Sequence, residues 1–496
     1  MEYHLLTYSL LFLPIVLILY SLIPQKFRWV MLLITDYVFF WMISKTLIIY
    51  FLLTTVITYF TGMWLSHTMT NSGLKGKALT KRKRLILAIG IAAPLGMLIV
   101  FKYFKLIGIT LTAPIGISYY TLQSISYMTD IHRKNITFDK NFAKTALYLS
   151  FFPQIIEGPI SRYSEIADDL YAGRDIEYHN LVYGYQRILW GLFKKMMVAD
   201  RLAPLVYKIF EDYKRYEGAV LLVAAICYTI QLYTEFSGCM DIILGSGEIF
   251  GIRLPENFRQ PFFADNASDF WRRWHITLGT WLKDYIFYPI SLAKPVKNLA
   301  KRCKKTFGIN VSKYIAPVIA LFFVWLCNGI WHGAGPTYLF YGMYYFVLIF
   351  IETITEASFQ NFYEKYGINT GTLGFRILRG IKLFIIVIIG ELFFRAPTLT
   401  QGFEMLQNIF TDFHPAALTE ANFGIDNYDI LLSIGGVILV CIVDILHEKN
   451  ICIRDRISSL STPVRWAFWY AMIFGIIITG AYGAGYTVVD MIYAAY

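Results

Sequence analysis

Charged residues are scarce in this sequence, and their scarcity excludes several classes of protein. They make up 16% of the 496 residues, whereas soluble globular chains carry about 25%. Hydrophobic residues reach 56%, too many for a disordered protein, a coiled coil or an ordinary cytosolic enzyme. The composition predicts a polytopic membrane protein, and the length fits about ten to twelve helices at roughly 20 residues per span.

Cysteine is also sparse, and no pair has the C-x-x-C spacing of a metal site. Four of the six cysteines lie in or beside apolar runs, where cysteine behaves as a small buried hydrophobe. We therefore expect neither a disulfide framework nor a bound metal. The N-terminus lacks a basic segment and a small-residue cleavage site, so we interpret its apolar stretch as a first membrane helix and not as a cleaved signal.

The apolar runs follow one another without a polar linker or an internal repeat. They extend from 5–23 to 464–485, and two of them, 143–157 and 185–200, are short enough to be re-entrant or interfacial segments. The pattern predicts an all-α bundle that forms a single membrane domain over residues 1–496.

Acidic residues are outnumbered by basic ones, 34 against 45, which gives a net charge of +11. In so apolar a chain this excess is typical of cytoplasmic loops rich in lysine and arginine, and we expect no nucleic-acid partner. The basic clusters at 75–84 and 294–305 are predicted to face the cytoplasm. Counting spans from the second cluster places the loop 397–428 outside and the connection 331–335 on the outer side or within the membrane.

The stretch 231–290 is the most polar part of the hydrophobic body. Glu235 and Asp241 lie close to an apolar run, where acidic side chains usually face a protein interior or a watery cavity. They are therefore candidates for a functional role. The structural alternative is that they pair with arginine or backbone groups and lock a helix kink.

Two further polar segments follow. Prolines bracket a loop at 255–262 that contains Asn257, and the segment 268–281 carries tryptophans at helical spacing. The spacing predicts one interfacial amphipathic helix with arginines on its other faces. His275 lies in this segment and is an acid, a base, a ligand or, as lone histidines more often are, a packed polar residue.

The sharpest motif ends an apolar span and reads Asn328-Gly329-Ile330-Trp331-His332-Gly333-Ala334-Gly335. Glycines let a backbone or a substrate approach closely. A histidine at membrane depth, with an ordinary pKa of about 6.5, suits proton abstraction from a hydroxyl. The residues alone leave open whether His332 is such a base or a satisfied histidine at a helix turn.

An ordered set of motifs carries a family resemblance. In chain order they are Pro114–Tyr120, Phe152–Gln154, Gly158–Tyr163, Phe236–Gly238, Pro255–Phe258, Asp269–His275, Trp331–Gly333 and Phe393–Ala396. The set resembles the membrane-bound O-acyltransferase (MBOAT) family, most of all its alginate O-acetyltransferase branch, and is also similar to the D-alanyl transfer protein of teichoic acid modification. The motif core covers 110–400, and 401–496 forms C-terminal helices and a tail.

The resemblance implies a fold, a reaction and a site. The fold is the MBOAT bundle, with re-entrant helices around a central funnel. The donor is acetyl-CoA or a carrier-protein thioester, which is a substrate and not a bound cofactor. The family's presumed catalytic histidine falls on His332, and its second motif histidine falls on His275. The residues implied to line the substrate tunnel are Asn328, Trp331, Gly333, Trp274, Arg273, Asn257, Glu235 and Asp241.

The resemblance also implies partners outside the cytoplasm. They are a polysaccharide acceptor and a secreted or membrane-anchored acyltransferase that completes the transfer, besides the lipid of a bacterial cytoplasmic membrane. Tyr493 matches a tyrosine that is proposed to carry the acyl group in some relatives or their small partners. Its neighbour Ala494 departs from the aromatic pattern there, and an interfacial tyrosine that anchors the last helix is the alternative.

Three other interpretations are weighed against this one. D-alanyl transfer from a carrier protein would require a docking surface for that carrier. A transporter without covalent chemistry would show paired broken helices in two related halves, which the sequence does not contain. A purely structural scaffold would leave the polar motifs in apolar surroundings unexplained. The stretch Thr234–Asp241 also departs from the family pattern, which leaves the acceptor open.

Overall fold

A computed structural model describes residues 7–109 and 111–482. These residues form 22 α-helices, joined by loops and by short 3-10 and π-helical segments. No strand occurs in the described ranges, where Phe258 and Trp274 form an isolated antiparallel bridge. The prediction of an all-α polytopic membrane protein is confirmed.

The helices are numbered in chain order. They are α1 (Leu13–Leu22), α2 (Gln25–Ser44), α3 (Ile48–Asn71), α4 (Gly76–Tyr103), α5 (Ile117–Arg133), α6 (Phe142–Ser150), α7 (Tyr163–Ala172), α8 (Tyr178–Phe193), α9 (Asp200–Glu211), α10 (Gly218–Ile249), α11 (Ala267–Arg273), α12 (Ile276–Leu282), α13 (Tyr288–Ser291), α14 (Lys294–Phe307), α15 (Ile309–His332), α16 (Pro336–Lys365), α17 (Leu373–Arg395), α18 (Leu399–Thr411), α19 (Ala417–Glu420), α20 (Asn427–Glu448), α21 (Ile453–Ser458) and α22 (Thr462–Thr479).

Seven helical stretches in the described ranges are long and apolar enough to cross a membrane. They are Gln25–Asn71, Gly76–Tyr103, Gly218–Ile249, Ile309–His332, Pro336–Lys365, Asn427–Glu448 and Thr462–Thr479. The first of these contains both α2 and α3. The prediction of ten to twelve helices came from the chain length at roughly 20 residues per span. The short run 143–157, predicted to be re-entrant or interfacial, contains α6, which has nine residues. The chain is a multi-pass membrane protein.

The helices group into two compact units, and the first comprises the described residues up to Leu192 together with Gly238–Glu256. Its buried Asp36 accepts hydrogen bonds from the Ser150 hydroxyl, at 2.8 Å, and from the Phe152 amide, at 2.9 Å. A Cβ on Gly191 of α8 would lie 2.4 Å from the carbonyl oxygen of Gly238 in α10. Small residues at this crossing therefore let the two backbones pack closely.

The second unit comprises the described residues of Phe193–Ser237 and Asn257–Val489. Its helices begin where the sequence supplies starting signals. Pro336 opens α16, a position that requires no backbone N–H. The side chains of Thr372, Thr398 and Asp426 accept backbone N–H bonds at the starts of α17, α18 and α20. Most of the candidate residues lie in this unit.

The predicted single helix over 268–281 is wrong, because the helix breaks at Trp274 and His275 into α11 and α12. The Asn266 side chain caps the start of α11 by accepting a hydrogen bond from the Asp269 N–H. Trp274 is extended and His275 has a left-handed backbone, with φ of 47°. The tryptophan spacing fits a helix, but the pairing of Trp274 with Phe258 holds the chain out of one.

Candidate active site

His332 is the last residue of α15, and the residues that precede it in this helix are mostly apolar. The residue is 4% exposed. Gly333 follows in an extended conformation and ends the helix. Asn328 and Trp331 occupy the same last turn and are also buried. Since Asn328 precedes His332 by four residues, both side chains lie on one face of α15.

Two glycines bring α15 and α16 into close contact beside this turn. A Cβ on Gly329 would lie 2.6 Å from the carbonyl oxygen of Tyr338, and one on Gly342 would lie 2.4 Å from the carbonyl oxygen of Trp325. No side chain larger than hydrogen fits at either crossing without a shift. The approach places Tyr341 of α16 against His332.

Three aromatic rings pack around the imidazole of His332, and we call them the aromatic wall. The ring centroids of Trp331, Phe394 and Tyr341 lie 5.0, 5.2 and 5.9 Å from that of His332. Their planes are inclined to it by 76°, 84° and 85°. The wall comes from three helices, α15, α16 and α17, and surrounds His332 with apolar surface.

His275 is held by hydrogen bonds of the 255–262 loop. The Asn257 side-chain oxygen accepts from the Thr277 backbone N–H at 3.0 Å and from the Thr277 hydroxyl at 2.9 Å, and it lies 3.2 Å from His275 Nδ1. Because an amide oxygen only accepts, Nδ1 carries the proton of a neutral imidazole and Nε2 carries the lone pair. Burial lowers the pKa of His275 well below its ordinary value, so the neutral form is favoured.

The two histidines are linked through one ring. Trp331 packs edge-on against His332 on one side, and its centroid lies 5.7 Å from that of His275. Phe236 of α10 contacts His275 at 4.9 Å. The structure therefore brings His275, Asn257, Trp331, His332 and Asn328 into one buried group. A neutral imidazole in apolar surroundings is suited to accept a proton from a bound hydroxyl.

Known proteins of similar sequence point to one family. A family model described as the membrane-bound O-acyltransferase family matches residues 133–303. A probable alginate O-acetylase AlgI of Pseudomonas syringae pv. tomato is 32% identical over 429 residues, which cover 83% of this chain and 75% of that protein. The chain belongs to the membrane-bound O-acyltransferase family. It is therefore an enzyme, an O-acyltransferase.

Two other relatives of this MBOAT chain have different names. A peptidoglycan O-acetyltransferase of Helicobacter pylori is 28% identical over 393 residues, 71% of this chain and 68% of that protein. A teichoic acid D-alanyltransferase of Bacillus subtilis is 29% identical over 258 residues, 51% of this chain and 60% of that protein. The predicted family resemblance is confirmed, and the names of all three relatives describe the transfer of an acyl group.

The acidic candidates of this MBOAT chain take part in ion pairs. Glu235 lies 3.3 Å from the ammonium of Lys195, which is 0% exposed and also lies 2.5 Å from Asp200. Lys195 lies in a π-helical segment, Lys194–Ala199. Glu235 therefore helps to neutralise a buried lysine of the second unit, and this pairing accounts for its presence in an apolar helix.

Asp241 belongs to the first unit and has a different partner. Arg187 Nε donates to it at 3.0 Å, and the same guanidinium pairs with Glu256 at 2.6 Å. Arg273 of the second unit pairs with Asp269 at 3.0 Å and with Glu448 at 2.9 Å. The two side chains are therefore engaged in ion pairs, and their predicted place in the substrate tunnel stays a prediction. Trp274 packs in a ring cluster with Phe258 and Phe270.

Other expectations concern a metal and the C-terminus. Within the described ranges, no group of three or more histidine, cysteine or acidic side chains is arranged to hold a metal ion. Gly333, a predicted tunnel residue, lies against the Tyr338 ring, where a Cβ would approach within 2.3 Å.

Tyr493 lies outside the described residues, so its predicted relay role stays a prediction.

Sequence reasoning missed two residues beside His332. Tyr341 belongs to the aromatic wall, and Glu391 of α17 accepts a hydrogen bond from its hydroxyl at 3.0 Å. Glu391 is 1% exposed. The signal was present, because a lone carboxylate in the run 380–395 is expensive in a membrane helix. Which group it meets depends on how α16 and α17 pack.

Proposed function

We propose that this O-acyltransferase moves an acetyl group from acetyl-CoA on the cytoplasmic side to a hydroxyl outside the cytoplasm, with His332 as general base. The observation that carries the proposal is a histidine buried at the end of a membrane-length helix, in which Lys313 near the start is the one Asp, Glu, Lys or Arg, and enclosed by the aromatic wall. Its position at the end of the 309–332 span fits a reaction between substrates that arrive from opposite sides.

The proposed chemistry needs one base and one oxyanion donor. An imidazole nitrogen of His332 takes the proton of the acceptor hydroxyl while the oxygen attacks the thioester carbonyl. The C–O bond forms, the tetrahedral oxyanion collapses, the C–S bond breaks and the thiolate takes the proton back from the imidazolium. The Asn328 amide, one turn earlier on the same face of α15, is the proposed donor to the oxyanion. General-base assistance is worth about 10²–10⁴-fold.

The aromatic wall has a role in this chemistry. A thioester that meets water instead of the acceptor is lost to hydrolysis. Rings from three helices pack around His332, and such apolar enclosure limits the access of water to the reacting carbonyl. His275 is proposed to act at the same acyl path, with its Nε2 lone pair directed by the Nδ1 contact to Asn257.

The charge of the predicted cytoplasmic side supports a phosphate-bearing donor. Helix α14 carries six basic residues, all of them exposed: Lys294, Lys297, Lys301, Arg302, Lys304 and Lys305. No acidic residue occurs between Asp284 and Glu352. A surface of this kind attracts the phosphates of CoA and raises the local concentration of donor.

The proposed acceptor is a polysaccharide of the cell envelope, reached directly or through a secreted or membrane-anchored partner. Support comes from relatives named for alginate and for peptidoglycan O-acetylation. The alternative is D-alanyl transfer from a carrier protein to teichoic acid, which the likeness to a teichoic acid D-alanyltransferase over 51% of the chain favours. The two differ in donor and not in the base that activates the hydroxyl.

The test uses purified protein in liposomes, with radiolabelled acetyl-CoA supplied to the face that bears the basic loops. Wild type and His332→Ala are run in parallel, and a matched preparation receives the donor on the opposite face. We expect label on an added glycan or on the protein with wild type only, and only from the basic face. Full transfer by a folded His332→Ala protein would exclude His332 as the base.

The same assay separates the alternatives. If neither protein transfers acetyl, a D-alanyl carrier protein is supplied as donor, and transfer that depends on His332 then favours the D-alanyl reaction. If label accumulates on the wild-type protein, peptide mapping shows whether Tyr493 carries it. Label on a different residue would reject the tyrosine relay.

A further inference from the structure

The buried carboxylate of Glu391 has no place in the proposed chemistry, yet it lies next to the wall of the site. It is 1% exposed in helix α17. Burying a carboxylate in apolar surroundings is costly unless the group is hydrogen-bonded. Its partner is the Tyr341 hydroxyl, which donates at 3.0 Å. A residue so expensive to bury, with a partner in the aromatic wall, points to a role in the site.

Tyr341 lies between Glu391 and His332 and contacts both of them. Tyr341 contacts the imidazole edge-on with its ring, at 5.9 Å between centroids, and meets Glu391 with its hydroxyl. Phe394, one turn after Glu391 on α17, contacts both the Tyr341 ring, at 5.0 Å, and His332, at 5.2 Å. The hydrogen bond therefore joins α16 to α17 at the place where both helices contact His332.

The Tyr341 ring also packs against other rings, with Tyr345 at 5.1 Å and Trp271 at 6.1 Å. Ring contacts tolerate small shifts, whereas a hydrogen bond to a charged or carboxylic oxygen has a defined direction. The bond to Glu391 therefore holds the hydroxyl end of the Tyr341 ring at a defined place on α17.

We propose that Glu391 is a positioning residue of the acyl-transfer reaction, which acts through the Tyr341 hydroxyl to hold the Tyr341 ring against His332 in the orientation that turnover requires. The inference rests on the proposed function, in which His332 is the base. Glu391 does not touch the substrate in this proposal. It keeps the imidazole from turning away from the attacking hydroxyl.

The test compares four variants in the liposome assay. Glu391→Gln keeps an oxygen that accepts from Tyr341, Glu391→Leu removes it, and Tyr341→Phe removes the hydroxyl but keeps the ring. Tyr344→Phe is the matched control, because its hydroxyl donates to the Ile386 carbonyl at 2.9 Å between the same two helices. Thermal unfolding of each purified protein reports whether it is folded.

We expect kcat to fall roughly 10- to 100-fold in Glu391→Leu and in Tyr341→Phe, the size that a small misplacement of a reacting group produces, with the KM of the donor within about twofold of wild type. Glu391→Gln restores most of the activity, and Tyr344→Phe behaves as wild type. The double variant Tyr341→Phe/Glu391→Leu is no slower than either single one, because both changes remove one interaction.

Three results would overturn the inference. They are wild-type kcat in folded Tyr341→Phe, additive losses in the double variant, and equal losses in Tyr341→Phe and Tyr344→Phe. Should Glu391→Leu fail to fold, Tyr341→Phe and Glu391→Gln still decide the matter. His332→Ala in the same series separates the two proposals: an active His332→Ala removes the base assignment, whereas an inactive one beside fully active Glu391 variants removes only the positioning role.

Discussion

The two motif histidines share a contact with Trp331, yet they are held in different ways. His275 lies in a left-handed turn, and the Asn257 side-chain oxygen accepts hydrogen bonds from His275 Nδ1 and from the Thr277 backbone N–H. His332 is enclosed by the rings of the aromatic wall, which come from three helices. The Nδ1 hydrogen bond of His275 fixes one tautomer and one ring orientation. The rings around His332 limit the access of water, which suits a base that acts beside a thioester.

The comparison teaches that position in a motif does not define a role. Removing the side chain of His332 should damage the reaction and leave the fold intact, whereas loosening the surroundings of His275 should damage the fold as well as the proposed part of His275 in the acyl path. Four changes test this distinction, and they are ordered from the largest expected effect to the smallest.

Replacing each histidine by glutamine gives the sharpest contrast. His332→Gln should lower turnover by about 10²–10⁴-fold, the usual contribution of a general base, with an unchanged melting temperature. His275→Gln should lower the melting temperature, because glutamine does not reproduce the Nδ1 contact with Asn257 in this left-handed turn. Turnover and melting temperature are measured for both purified proteins, to show which of the two quantities each substitution lowers. Equal melting temperatures and equal losses of turnover would erase the comparison.

Asn257→Ala tests the surroundings of His275 without touching its ring. The change leaves the Thr277 N–H, the Thr277 hydroxyl and His275 Nδ1 without their acceptor, at about 1–3 kcal/mol for each buried group. The matched control is Asn266→Ala, which loses one helix-capping bond from the Asp269 N–H and about 1 kcal/mol. Thermal unfolding should show a larger loss of stability in Asn257→Ala than in Asn266→Ala. A smaller loss in Asn257→Ala would show that the Asn257 hydrogen bonds are weak.

Gly342→Ala tests the surroundings of His332 through the crossing of α15 and α16. Its Cβ would lie 2.4 Å from the Trp325 carbonyl oxygen, so the helices must separate, at about 1–3 kcal/mol. The separation moves Tyr341 relative to His332 and should lower turnover as well. Gly380→Ala is the control, since its Cβ meets no atom within 4 Å. Similar behaviour of the two variants would mean that the close crossing is not needed.

The pH dependence of stability gives the smallest effect. Burial holds the pKa of His275 below its unfolded value of about 6.5. Below that pH the unfolded chain binds a proton that the folded chain does not, so this histidine destabilises the fold progressively as the pH falls, by at most about 1.4 kcal/mol per pH unit. The gap in melting temperature between wild type and His275→Gln should therefore narrow from pH 7 to pH 5. A constant gap would show that His275 does not stay neutral.

Much of the fold could be predicted from composition and periodicity. Long uncharged runs become helices because every backbone polar group must be satisfied inside a membrane. The end of α15 at His332 was readable from the glycines at 333 and 335. The break between α11 and α12 was not readable, because the tryptophan spacing of 268–281 also fits one helix and only the pairing of Phe258 with Trp274 excludes it.

The site was predictable to a smaller extent. The family resemblance indicated His332 and His275, and the fold brings both into one buried group through Trp331. Glu235 and Asp241 were candidates because of their polarity and the family resemblance, with pairing to arginine or backbone groups as the alternative, and neither signal names the residue that each one meets. Their partners, Lys195 and Arg187, lie 40 and 54 residues away along the chain. Such distant pairs have no sequence period to reveal them.

The sequence by itself determined that this protein is a helical membrane enzyme, because hydropathy and ordered motifs are properties of the chain that need no partner. It also located the turn that carries His332. Tertiary structure decided what surrounds that turn. The Tyr341 ring, the Glu391 carboxylate and the Asn257 oxygen reach their places only when separate helices and loops pack. Contacts between segments that are far apart in the chain depend on the shapes of the side chains and on the distances between them in the folded protein. The local pattern of residues predicts neither.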